Sequence, residues 1–186
     1  MKRIALILIA LVASVVLAAC GSNDDNTAGG ASDHNAADVS FATDMIPHHG
    51  QAIDMAKLAA DRASAPEVKA LAVRIQSAQD PEIDTMSGWL RSWGEDVPST
   101  AMSHAGHSGM SMPGMMSADE MNDLMAKSGA AFDRVFLTMM TKHHQGAIEM
   151  ARTEQAKGSY GSAKDLASKI IKDQQAEIDE MAKLLA

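Results

Sequence analysis

Phe41-Ala-Thr-Asp-Met-Ile-Pro-His-His-Gly-Gln-Ala-Ile-Asp-Met-Ala56 recurs 95 residues later as Phe136-Leu-Thr-Met-Met-Thr-Lys-His-His-Gln-Gly-Ala-Ile-Glu-Met-Ala151, identical at nine of sixteen positions. The identities include Met45/Met140, His48/His143, His49/His144 and Met55/Met150. The register then continues without a gap. Leu71, Ala72, Ile75, Gln79, Glu82, Ile83, Asp84, Met86 and Leu90 return as Leu166, Ala167, Ile170, Gln174, Glu177, Ile178, Asp179, Met181 and Leu185. What repeats is an apolar helical pattern carrying two soft donor types, imidazole and thioether. The expectation is a duplicated helical hairpin that binds a soft metal.

Around this core the chain reads as helices throughout. The first is expected from about Asp38 to Arg62, and the second from a capping box at Ser64-Ala-Pro-Glu67 to Trp93. A Gly/Ser/Pro/Met/His linker follows at about 94–117. Ser117-Ala-Asp-Glu120 is a second capping box and opens a helical region to Lys157, broken near Gly129. Gly158-Ser-Tyr-Gly161 is a turn, and the last helix fills Ser162 to Leu185. No stretch alternates like a strand. Two hairpins that cannot each cover an apolar face pack together, so the fold class is all-α, a four-helix bundle of two repeated hairpins. Pro47 and Pro81 stand where the second repeat has Lys142 and Ala176, so each should kink its helix and make the halves unequal.

On a helix, Met45, His48, His49 and Met55 share one arc of about 120°, floored by Ala52, Ala56 and Ala59. Met140, His143, His144, Met150, Ala147 and Ala151 repeat it. Small alanines let a partner helix come close. Methionine at such spacing is ordinarily core filling, which is the reading for Met55, Met86 and Met181. Four imidazoles inside a small bundle are costly without partners, which favours a metal site. Adjacent histidines point about 100° apart, so one of each pair should face the interior and the other the edge. Glu82 and Glu177 fall within an apolar stripe beside Gln79 and Gln174. Each glutamate either accepts the second ring nitrogen of a ligand histidine or reaches solvent at the stripe's edge. Di-iron bundles place Glu-x-x-His on such helices; Met45-x-x-His48 and Met140-x-x-His143 put a thioether there instead. That moves preference from iron toward Cu(I).

The linker carries the same donors: Met102, His104, His107, Met110, Met112, Met115 and Met116 crowd into fifteen residues. It reads as a flexible copper-collecting loop, with a plain linker as the bland alternative. At the other end, Lys2 and Arg3 precede an apolar run to Val16, and Leu17-Ala-Ala-Cys20 ends it. This is expected to be a signal peptide over residues 1–19 whose end resembles a lipobox, with Cys20 acylated and residues 20–37 a tether from the membrane. Cys20 is the only cysteine, so a metal in residues 38–186 must be held by His, Met, carboxylate or backbone groups. Removing Lys2 and Arg3 takes the formal charge from −8 to −10. Such an acidic surface, with few aromatic side chains, argues against nucleic-acid binding.

The doubled Met-x-x-His-His-x-x-Ala-Ile-x-Met-Ala, with Gly114-Met-Met-Ser-Ala-Asp-Glu120 and Gly129-Ala-Ala-Phe-Asp-Arg-Val-Phe-Leu137 leading into the second copy, resembles the bacterial family catalogued as domain of unknown function 305. The resemblance spans roughly residues 38–186. It implies a ferritin-like four-helix fold in secreted or envelope proteins, some of them copper-binding and linked to copper tolerance. Carried over by position, it implies Met45, His48, His49, Met140, His143 and His144 as ligands. The second copy has Gln145-Gly146 where the first has Gly50-Gln51.

The expected function is that of an extracytoplasmic lipoprotein binding Cu(I), with Ag(I) or Cu(II) as alternatives, as a copper buffer or chaperone rather than an enzyme. A homodimer and a protein that receives the metal are its expected partner classes, beside the membrane. Histidine ligation predicts affinity falling as pH drops through about 6.5, while the loop thioethers hold Cu(I) at acid pH. The rivals are a metal-dependent oxidoreductase and an interaction module with structural histidines.

Overall fold

The computed structural model describes residues 33–100 and 112–186. The expected signal peptide, Cys20 and most of the tether lie outside the described residues, as do Met102, His104, His107 and Met110. Five helices follow in order: α1 Ala36–Arg62, α2 Pro66–Trp93, α3 Ala118–Ala126, α4 Gly129–Lys157 and α5 Gly161–Leu185. No strand occurs among the described residues, and no described helix is long and apolar enough to cross a membrane.

Helix starts follow local chemistry. Asn35 caps α1, its side chain accepting the N–H of Ala37 at 2.7 Å, while Asp38 accepts the N–H of Asn35 at 2.6 Å. This reciprocal box begins α1 two residues before the sequence-based start. Ser117 and Glu120 form the expected box on α3. The box expected at Ser64 and Glu67 does not form: Ala65 is the N-cap and makes no side-chain cap bond. Ser64 is drawn to Asp133 instead, which accepts its N–H at 3.0 Å and its hydroxyl at 2.5 Å, and the Ala65 N–H at 3.0 Å. The equivalent residue of the first repeat, Asp38, accepts the N–H and hydroxyl of Ser159 and the N–H of Tyr160. Each hairpin's turn is therefore pinned by an aspartate from the other hairpin. Three donors converge on a carboxylate that three-residue spacing within α2 could not match. α1 and α2 run through Pro47 and Pro81 without interruption.

α1 packs along α2 and α4 along α5; the hairpins meet mainly through α1 and α4, with lighter contact between α2 and α5. α1 and α4 are antiparallel. Phe41, Met45 and Ile46 from the start of α1 share one apolar cluster with Ala147 and Ala151 from the end of α4. Met55 and Ala59 share the other with Phe132, Phe136 and Met140. Between the two clusters, in chain order on every long helix, lie polar residues: the buried His48 and His49, Gln79 and Glu82, His143 and His144, and Gln174, with the half-buried Glu177. The core is thus two apolar ends separated by a polar equator, because each repeat interrupts its apolar pattern at the same register.

Candidate metal centre

All four histidines are fully buried. The sequence-based expectation of one interior and one edge ring in each pair is therefore corrected. His48 and His143 meet where α1 crosses α4, ring centroids 3.8 Å apart and planes tilted by 40°. His144 lies 6.4 Å from His143. His49 and His144, rotated by one residue, turn toward the flanking helices, where α2 and α5 cover them. There His49 Nε2–H donates to Glu82 Oε2 at 2.8 Å, and His144 Nε2–H to Glu177 Oε2 at 2.7 Å. Glu82 and Glu177 thus take the histidine-accepting role of the two alternatives left open by the sequence.

The edge near His48 is closed by the end of the linker. Pro113 O accepts from His48 Nε2–H at 3.0 Å. Gln51 clasps Met116 from both sides, its amide donating to Met116 O at 2.9 Å and its carbonyl accepting Met116 N–H at 2.7 Å. At Gly146 a Cβ would collide with the Pro113 carbonyl, so only glycine lets the strap lie flat on α4. At Gly50 a Cβ would come within 2.5 Å of Thr100 O, where the linker leaves. The Gly50-Gln51 and Gln145-Gly146 inversion follows from this: α1 needs clearance at Gly50 and the clasp at Gln51, whereas α4 needs clearance one position later, at Gly146, and leaves Gln145 exposed.

Met45 and Met140 are fully buried beside the equator, in opposite apolar clusters. Met55, Met86 and Met181 are core residues, and Met150 is partly buried. Of the linker donors, Met112 and Met115 are half-buried in the strap, and Met116 packs into the core.

Burial, with His49 and His144 nearby, pushes His48 down to about 3. Burial and the neighbouring rings His48, His144 and His49 hold His143 well below the usual imidazole range. The expectation that affinity falls through about 6.5 does not apply to these two rings. With Nε2 committed to a hydrogen bond on His48, His49 and His144, Nδ1 is the nitrogen that each ring has left for a ligand. Those three Nδ1 atoms, and both nitrogens of His143, are buried with no protein partner. An uncompensated buried nitrogen is costly, and the four rings, with one lone pair each, form a donor set that suits a soft cation. Among the described residues no three His, Cys, Asp or Glu side chains close a metal site by themselves. Two imidazoles completed by thioether would suffice for a soft ion.

Several contributors escaped the sequence reading. Gln51 and Gly146 were visible only as an inverted dipeptide. Lys169, whose ammonium lies 2.8 Å from Glu82 Oε1, stands where the first repeat has Arg74, a difference the repeat alignment could have flagged. Burial would raise Glu82, but its bonds to His49 and Lys169 outweigh that and lower it.

A duplicated all-α bundle with a buried histidine layer and paired carboxylates is the class of protein that this geometry defines. Residues 38–185 match the family described as a domain of unknown function (DUF305), and the chain belongs to it. Among solved structures it is similar to a DUF305 protein from Streptomyces coelicolor named as secreted. That likeness has 36% identity and a TM-score of 0.72, over 80% of this chain and 91% of that one. CopM in its Cu(I)-bound form is 34% identical with a TM-score of 0.64, over 79% of this chain and 94% of that one. CopM is also known in Cu(II)-bound and Ag-bound forms. A DUF305 fragment from Deinococcus radiodurans is 29% identical with a TM-score of 0.70, over 81% and 96%. No protein of curated function matches.

Proposed function

We propose that this chain binds Cu(I) in its histidine layer and acts as a copper buffer or chaperone on the extracytoplasmic face of a membrane, anchored through Cys20. The observation that carries the reading is the set of buried, partnerless Nδ1 atoms on His48, His49 and His144, each ring fixed through its other nitrogen. That is how metal-ligating imidazoles are oriented by outer partners. His48, His49, His143 and His144 are the imidazole ligands, Met45 and Met140 the thioethers nearest the layer. Glu82 and Glu177 orient His49 and His144. The copper and silver forms of CopM support a soft cation, and a thioether-imidazole donor set favours Cu(I) over Cu(II). Met102, His104, His107, Met110, Met112 and Met115 would gather the ion before it enters.

The test is a Cu(I) competition titration of the protein against a variant with all four histidines changed to Ala, its helicity checked by circular dichroism. A single His144→Gln variant covers the case in which the quadruple variant unfolds. Tight binding lost in the variants establishes the layer. Undiminished binding moves the metal to the linker methionines, and absence of binding in the parent defeats the proposal.

A further inference from the structure

The two repeats supply the same imidazole–carboxylate pair, but not the same charge around it. Glu82 gives one oxygen to His49 and the other to the Lys169 ammonium, each at 2.8 Å. Glu177 gives one oxygen to His144, and among the described residues no cation pairs with it. The repeat explains why. Lys169 occupies the position of Arg74, which would be the natural cation for Glu177 by symmetry. Arg74 is diverted to Glu180, whose oxygens lie 2.5 and 2.6 Å from its guanidinium. Glu180 corresponds to Thr85 of the first repeat, so Lys169 meets no such competitor there. Glu82 is also the drier carboxylate, its side chain 9% exposed against 18% for Glu177.

A carboxylate that shares its charge with an ammonium is a weaker acceptor for the imidazole N–H. It pushes less electron density onto the ring, and the opposite nitrogen becomes the poorer donor. Water on Glu177 is a neutral competitor and draws away less. From this asymmetry we infer that Lys169 sets the order in which the histidine layer takes up a cation, with His144 Nδ1 engaging before His49 Nδ1. The inference rests on the metal reading above and gives Lys169 the part of a positioning residue. Half of the Lys169 side chain is exposed, so water screens it. The effect amounts to about a two- to fivefold difference in affinity between the two sides.

The experiment is nitrogen-15 histidine spectroscopy of the protein, first without metal and then through an Ag(I) titration, a diamagnetic probe. Without metal, the His144 Nε2–H proton is expected downfield of that of His49, as the stronger hydrogen bond. During the titration His144 signals shift at lower occupancy than those of His49. Lys169→Met brings the two rings together in both measurements, Lys169→Arg keeps them apart, and Arg74→Met leaves them as in the parent. Coincident rings in the parent, an order unchanged by Lys169→Met, or an equal effect from Arg74→Met would overturn the inference while the metal reading stands. If the rings differ without metal but neither responds to Ag(I), the metal reading fails and the loading order falls with it.

Discussion

The rings of His48 and His143 meet at a tilt, centroids 3.8 Å apart, at the crossing of α1 and α4, both fully buried and both uncharged at neutral pH. Neither ring can take a proton without placing a cation against its neighbour. In the unfolded chain both titrate near the ordinary imidazole value. Between about 6.5 and the folded value, the unfolded state binds more protons, so stability rises with pH there and is lost as pH falls. The metal-free protein is therefore expected to lose up to about 1.4 kcal/mol per pH unit for each ring below about pH 6.5. His48→Gln with His143→Gln should flatten this slope. Thermal melts from pH 7.5 to 4 measure it, and equal slopes in parent and variant would refute the assignment.

Glu154 behaves in the opposite sense. It is 1% exposed, and burial together with the adjacent Asp38 carboxylate pushes it up to about 8. The folded state holds this proton above about pH 4.5, where the unfolded state releases it, so its contribution is complete below that value and is lost as pH rises through about 8. Glu154→Gln should leave stability near pH 5 unchanged and raise the melting temperature at pH 9. A variant that melts no higher than the parent at pH 9 counts against a protonated Glu154.

Two glycines in helices should respond with opposite sign to the same change. Gly146→Ala forces its methyl into the Pro113 carbonyl and lifts the strap from His48, costing about 1–3 kcal/mol. Gly88 in α2 has nothing within 4 Å of a new Cβ, so Gly88→Ala should stabilise by about 0.5–1 kcal/mol. Urea unfolding of both variants reads the pair, and a stabilising Gly146→Ala would remove the strap from its place on α4.

The turn clamps also separate the structure from the simpler reading of the sequence. Asp133→Ala strips three donors of their acceptor and should cost about 2–3 kcal/mol. Glu67→Ala should stay within about 0.5 kcal/mol, because the capping box that Glu67 would complete does not exist. Denaturant midpoints decide it; a larger loss at Glu67 than at Asp133 would reverse the assignment.

The repeat of Met45, His48 and His49 as Met140, His143 and His144 determined by itself that the chain is all-α, that it is built of two hairpins, and that imidazoles lie within its core. Periodicity is local, and one helix face can be read from spacing alone. It could not determine how a ring is partnered, because partners come from other helices. Only packing decided that α2, α5 and the strap bury all four rings, and that Ser64 bonds to Asp133 rather than to Glu67. Packing also decided that Lys169 reaches Glu82 while Arg74 is taken by Glu180. A hydrogen bond or ion pair forms with whichever group the fold brings within about 3 Å, and sequence spacing carries no record of that distance between elements.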